Sequence, residues 1–155
     1  MNRSERRPGA RTLARERALQ ALYQVDLAQA EPAEALRIAW AADDSGTPPD
    51  GASIDFAESL VQGVLKHRAD LDALLDRCSH HWRVERMSRI DRNILRLGAY
   101  ELTATPEIPM NIVLNEAIEL AKRYGSEDSR AFINGILDRV AAEAAGRASP
   151  DTPSK

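Results

Sequence analysis

From Arg11 to Ala145 apolar residues recur at intervals of three and four, and that period constrains the fold more than any other feature of the chain. Ala14, Ala18, Leu22 and Val25, with Leu19 widening the stripe, predict a first helix over 11–30. Pro32 suits a first helical position and predicts a second helix carrying Ala35, Leu36, Ala39 and Trp40. The span from Ile54 to Cys78 keeps the same spacing through Phe56, Leu60, Val64, Leu65, Leu71, Leu74 and Leu75, as one long helix or as two with a break near 67–70. Ser88 followed by Asp91 reads as a helix start, because the hydroxyl satisfies backbone donors and the acid favours the positive helix end. Ile90, Ile94, Leu97 and Gly98 mark the buried face of that helix, and a two-proline loop over 103–109 ends it. Pro109 opens the next, with Leu114, Ala117, Ile118, Ala121 and Tyr124 facing inward. A last helix over 127–144 buries Phe132 or Ile133, Ile136, Leu137 and Val140. The one short run that a strand needs, 112–114, continues at helical spacing. The expected fold is all-α, a single-domain bundle of about six to seven helices.

Three stretches break the period: residues 1–9, residues 43–53 (DDSGTPPDGAS) and residues 146–155 (GRASPDTPSK). They predict a flexible basic arm over 1–10, a helical domain over 11–145 and a disordered tail over 146–155. The overall charge of −3 conceals an asymmetry. Residues 1–17 carry six arginines against two glutamates, a net +4, which leaves −7 on the remainder. A basic arm on an acidic body suits a polyanionic partner such as nucleic acid, although a merely solvated terminus has the same composition. A single cysteine, Cys78, excludes an internal disulfide framework and reads as a small core residue. With no long apolar run, and no apolar segment behind the N-terminal arginines, the expected location is the cytoplasm.

The chain lacks a Gly-rich phosphate loop, GxGxxG after a strand, HExxH and CxxC. His67, Cys78, His80 and His81 are too scattered for the four converging ligands of a structural zinc site, and no metal or cofactor is expected. Ser129, Asp128 and a histidine have neither a nucleophile elbow nor a sheet to hold it, so no catalytic residue is assigned. Glu101 falls on the apolar face of its helix and predicts an interhelical ion pair with an arginine. Gly98 and Gly135 lie inside helices, where close helix approach is the expected reason for them.

The segment YGSEDSRAF, residues 124–132, reads first as punctuation between helices. Gly125 fits the position past a helix end, Ser126 the cap of the next helix, and Glu127 and Asp128 its first turn. Punctuation leaves Arg130 and Phe132 unexplained. A basic residue beside an aromatic at a helix end can stack and neutralise a single-stranded base and its phosphate, while the local pattern equally admits Phe132 as core.

Three segments, ARERALQALYQ (14–24), WRVERMSRIDRNILRLGAYEL (82–102) and PMNIVLNEAIELAKRYGSEDSRAFINGILD (109–138), together resemble the NusB family of bacterial transcription antitermination factors. The resemblance implies two packed helical subbundles, binding to the single-stranded boxA element of nascent ribosomal RNA, and heterodimerisation with NusE, a protein of the small ribosomal subunit. It further implies assembly with other Nus factors on the RNA polymerase elongation complex, in support of processive transcription and ribosomal RNA maturation, without enzymatic activity. Family members occur as monomers and as homodimers. By the same resemblance Arg11 and Arg15 match a helix start that lies along RNA, Tyr23 and Asp91 match NusE-facing positions, and Asp128, Arg130 and Phe132 match a turn that contacts RNA. Arg6 and Arg7 join the RNA set by charge only, and Ala131 stands where the family often has a basic residue. The alternatives are a protein-binding helical adaptor without intrinsic RNA affinity, and a NusB-like domain related to those that precede ribosomal RNA cytosine methyltransferases.

Overall fold

A computed structural model describes residues 9–42 and 48–148. Seven α-helices and no strand occur among the described residues: α1 (Ala10–Ala28), α2 (Pro32–Ala41), α3 (Gly51–Lys66), α4 (Arg68–Cys78), α5 (Arg89–Ala104), α6 (Met110–Tyr124) and α7 (Ser129–Ala148). A single 3-10 turn, Val84–Arg86, interrupts the segment between α4 and α5. The chain forms two compact units, one through Gln62 and the other from Gly63 onward, so the division falls within α3.

In the first unit α1 packs against α2. Ala14, Ala18, Leu19, Ala21 and Leu22 of α1 are buried, as are Ala35, Leu36 and Ala39 of α2. Small residues at i, i+4 and i+7 let the helices approach closely, which the alanine-rich stripe of α1 predicts. The helix stops two residues short of the expected end. Gln29 adopts a left-handed conformation (φ 54°), its N–H donating to the Val25 carbonyl at 3.0 Å while the Ala30 N–H reaches the Gln24 carbonyl at 3.5 Å. Glu31 caps α2, its two carboxylate oxygens accepting from the N–H groups of Ala33 (3.2 Å) and Glu34 (2.9 Å), with Pro32 in the first turn as expected. α3 begins at Gly51, inside the stretch that composition assigns to a loop. The Asp50 carboxylate accepts from the Ser53 N–H (2.7 Å) and so nucleates the first turn.

In the second unit α5 packs against α4, α6 and α7, and α6 also packs against α7. The break expected near 67–70 is a single residue, His67, which separates α3 from α4. Ser88 caps α5 as expected, its hydroxyl accepting from the Asp91 N–H at 3.1 Å. Gly98 is where α5 and α7 meet: a Cβ there would stand 2.7 Å from a Leu137 methyl. Gly135 meets nothing within 4 Å of such a Cβ, so close approach does not explain it. On α6 the buried arc runs through Val113, Ala117, Leu120 and Ala121, while the expected Leu114, Ile118 and Tyr124 lie half-buried on its flanks. The arc is turned toward Val113 and Leu120 because α6 must cover two neighbours, α5 and α7, at once.

Charges also enter this core. Glu101 is 2% exposed, in line with its helix phase. Arg96, 6% exposed, forks onto Asp72 of α4 with Nε–Oδ1 and Nη2–Oδ2 distances of 2.8 and 2.9 Å. The planar guanidinium matches both carboxylate oxygens, which is what makes a desolvated pair tolerable.

Candidate nucleic-acid interface

Two groups of residues carry the features that sequence reading attached to RNA. The first lies at the start of α1. Arg11 and Arg15 are four residues apart and so share a helix face. Both guanidinium groups sit over the ring of Phe56 from α3, Arg11 with its Cζ 4.4 Å from the ring centroid and Arg15 at 5.2 Å. Within about 6 Å such a contact is an attractive cation–π interaction. The two arginines differ in exposure. Arg11 is open to solvent, whereas Arg15 is only 3% exposed. Arg15 therefore takes part in the packing of the helix, and Arg11 is the cation that this face offers to an anion. Phe56 was legible in the sequence only as one more residue of an apolar stripe. Arg6 and Arg7 lie outside the described residues.

The second group is the connection between α6 and α7. Gly125 ends α6 in an extended conformation (φ −89°, ψ −176°), so no left-handed geometry demands a glycine there. Space demands it instead: a Cβ on Gly125 would stand 2.6 Å from both Cβ and Oγ of Ser129 and 2.8 Å from the Ala121 carbonyl oxygen. Sequence reading makes Ser126 the cap and places Glu127 and Asp128 in the first turn of α7. The helix in fact starts two residues later, at Ser129, and both acids stand in the turn before it. The reason is that Ser129 supplies the side-chain acceptor: the Ser126 N–H donates to Ser129 Oγ at 2.9 Å. Ser129 is 2% exposed, and its hydroxyl also bonds Asp91 Oδ1 at 2.7 Å. Asp128 and Arg130 project into solvent on either side of this buried serine, and Phe132, one turn into α7, is half-buried. Ile133 is the fully buried residue at this level of the helix.

Of the two positions matched to a protein partner, Asp91 is half-buried at the start of α5 and is joined to the α6–α7 turn through Ser129. Tyr23 is half-buried on α1. Among the described residues no group of three or more His, Cys, Asp or Glu side chains is placed to hold a metal ion. The Cys78 thiol is buried 3.7 Å from Glu143 Oε2, and burial followed by that carboxylate pushes its pKa up, which disfavours a reactive thiolate. No described helix is long and apolar enough to cross a membrane.

Comparisons with known proteins agree with this arrangement. The NusB family profile matches residues 12–142. A transcription antitermination protein NusB from Myxococcus xanthus is 55% identical over 133 residues, covering 86% of this chain and 95% of the relative. Among solved structures, a NusB from T. maritima superimposes with a TM-score of 0.79 at 33% identity, over 92% of this chain and 97% of that one. A structure of the antitermination factors NusB and NusE in complex with double-stranded RNA matches with a TM-score of 0.77 at 25% identity, over 86% of this chain and 97% of that one. With the profile spanning both compact units and a relative sharing more than half of its residues, the chain belongs to the NusB family of transcription antitermination proteins.

Proposed function

We propose that the protein binds the single-stranded boxA element of nascent ribosomal RNA as a heterodimer with NusE, and that it acts as a non-enzymatic adaptor. In this reading the pair joins other Nus factors on the RNA polymerase elongation complex in the cytoplasm and supports processive transcription and ribosomal RNA maturation. The observation that carries the reading is Arg11: a solvent-open residue at the start of α1 whose guanidinium lies over the Phe56 ring. A guanidinium placed over a ring can still take a phosphate through its N–H groups or a base against its exposed side, the two contacts that single-stranded RNA offers. Asp128, Arg130 and Phe132 supply a second contact, an exposed arginine and a half-open aromatic around the start of α7, with Ala131 leaving it less basic than is usual in the family. Arg6 and Arg7 add charge to the first contact, and Tyr23 and Asp91 face NusE. The relative solved with NusE and double-stranded RNA supports both partnerships, while the stacking chemistry favours unpaired bases here.

Fluorescence anisotropy with labelled boxA RNA, a scrambled single strand and a duplex, each with and without NusE, tests the reading. The expected result is selective binding to boxA that tightens in the presence of NusE and weakens steeply with salt. Tight binding to NusE with no preference among the RNAs would instead identify a purely protein-binding adaptor.

A further inference from the structure

The hydroxyl of Ser129 has one proton and two acceptor sites, and its contacts use all three. At 2.7 Å its partner is a carboxylate oxygen, Asp91 Oδ1, which can only accept, so the proton points there. The Ser126 N–H fills one lone pair at 2.9 Å. The remaining contact, Ser126 Oγ at 3.1 Å, must then be donated by Ser126. Every hydrogen atom in the cluster is thus directed, from Ser126 through Ser129 to Asp91. The cluster has no slack: Ser129 is 2% exposed, and the missing side chain of Gly125 is what makes room for its oxygen. Asp91 is tied from the other side as well, because its own N–H is held by the Ser88 cap. Its second carboxylate oxygen, Oδ2, takes no hydrogen bond from the described residues, and the residue is half-open to solvent.

One carboxylate therefore has an oxygen facing inward, fixed to the turn, and an oxygen left for a partner. We propose that Ser129 is a positioning residue that couples the two binding functions. A cationic or N–H donor of the protein partner engages Asp91 Oδ2, and the carboxylate transmits that engagement through Ser129 to the turn that places Asp128, Arg130 and Phe132 against RNA. The proposal rests on the roles assigned above to Asp91 and to the turn. It adds a residue that neither charge nor exposure would nominate, since Ser129 is uncharged and buried. A change in the carboxylate's position cannot leave the turn alone, because the same hydroxyl that Asp91 holds also supplies the side-chain bond at the start of α7.

Anisotropy titrations of boxA RNA with and without NusE, on the wild type and on Ser129→Ala, give the factor by which NusE tightens RNA binding. The expected outcome is that this factor falls about fivefold or more in Ser129→Ala, while affinity for NusE alone stays near the wild-type value. Asp91→Asn keeps an oxygen for Ser129 but sets an NH2 donor where Oδ2 met the partner, so the enhancement should fall even once NusE is saturating. Hydrogen exchange on the wild-type protein needs no variant to fold: NusE alone, without RNA, should change the protection of amides in 126–132. Three results would overturn the proposal: an undiminished enhancement in Ser129→Ala, a loss of NusE affinity equal to the loss of enhancement, or unaltered exchange in the turn. The second would make the turn part of the partner surface itself. Absence of any boxA binding or NusE enhancement in the wild type would sink the proposed function, a separate failure visible before any variant is compared.

Discussion

The start of α1 and the α6–α7 turn each present an exposed arginine, Arg11 and Arg130, but they hold it in different ways. At α1 the exposed Arg11 rests on Phe56, and the same ring meets a second arginine, Arg15, that is almost wholly buried. The restraint is a stack of side chains, and the backbone beneath is an ordinary helix. At the turn the exposed Asp128 and Arg130 flank a buried hydroxyl that fixes the backbone itself. A stacked guanidinium can slide over its ring at little cost, because the cation–π attraction is broad and only weakly directional. A hydrogen-bonded turn has one geometry or another. The first contact is therefore suited to following a phosphate chain, and the second to being placed by something else.

Substitutions that separate support from contact should expose that contrast. The largest effect is expected from Arg15→Ala, which removes a buried cation together with its packing and should cost about 3 kcal/mol. In a chain of this size that corresponds to a fall in melting temperature of about 6–12 °C by calorimetry. A melting temperature within a degree or two of wild type would mean that Arg15 is no support at all. Gly125→Ala comes next. The added Cβ has to displace the Ser129 side chain or the Ala121 carbonyl, at about 2 kcal/mol, and chemical denaturation should show a lower midpoint with an unchanged slope. If that variant is as stable as wild type, the turn is looser than its contacts imply.

Phe56→Leu keeps an apolar side chain and removes the ring, for about 1 kcal/mol of stability and a few-fold loss of boxA affinity. Phe56→Tyr should restore both, which a purely volumetric role would not require. Arg11→Ala has the smallest effect on stability, below about 0.5 kcal/mol for an exposed residue. Its signature belongs to binding, where the slope of log affinity against log salt should become shallower by about 0.7, the value for one phosphate contact to a single strand. An unchanged slope would remove Arg11 from the contact and leave the turn as the interface.

Much of this was legible in the chain. Helical spacing located the helical spans, leaving 54–78 open as one helix or two, and the Ser88 cap, Pro32 and the closely packed Gly98 were each recognisable from local chemistry. Local chemistry misplaced the start of α7, because Ser126 and Ser129 are both plausible caps and only the acceptor on α5, Asp91, selects between their arrangements. It likewise turned the α6 face by a residue, since the arc a helix buries depends on how many neighbours it must cover.

The sequence by itself determined the all-α class, the helix boundaries to within a few residues, the basic N-terminal asymmetry and membership of the NusB family, because periodicity, capping and motif order are properties of adjacent residues. Only the tertiary structure decided that Arg11 is open while Arg15 is closed, that Phe56 lies beneath both, that Arg96 is neutralised by Asp72, and that Ser129 links Asp91 to the turn. Each of those outcomes joins residues distant in the chain. Burial and hydrogen-bond partnership are set by what another helix brings to the same point in space, and no local pattern carries that information.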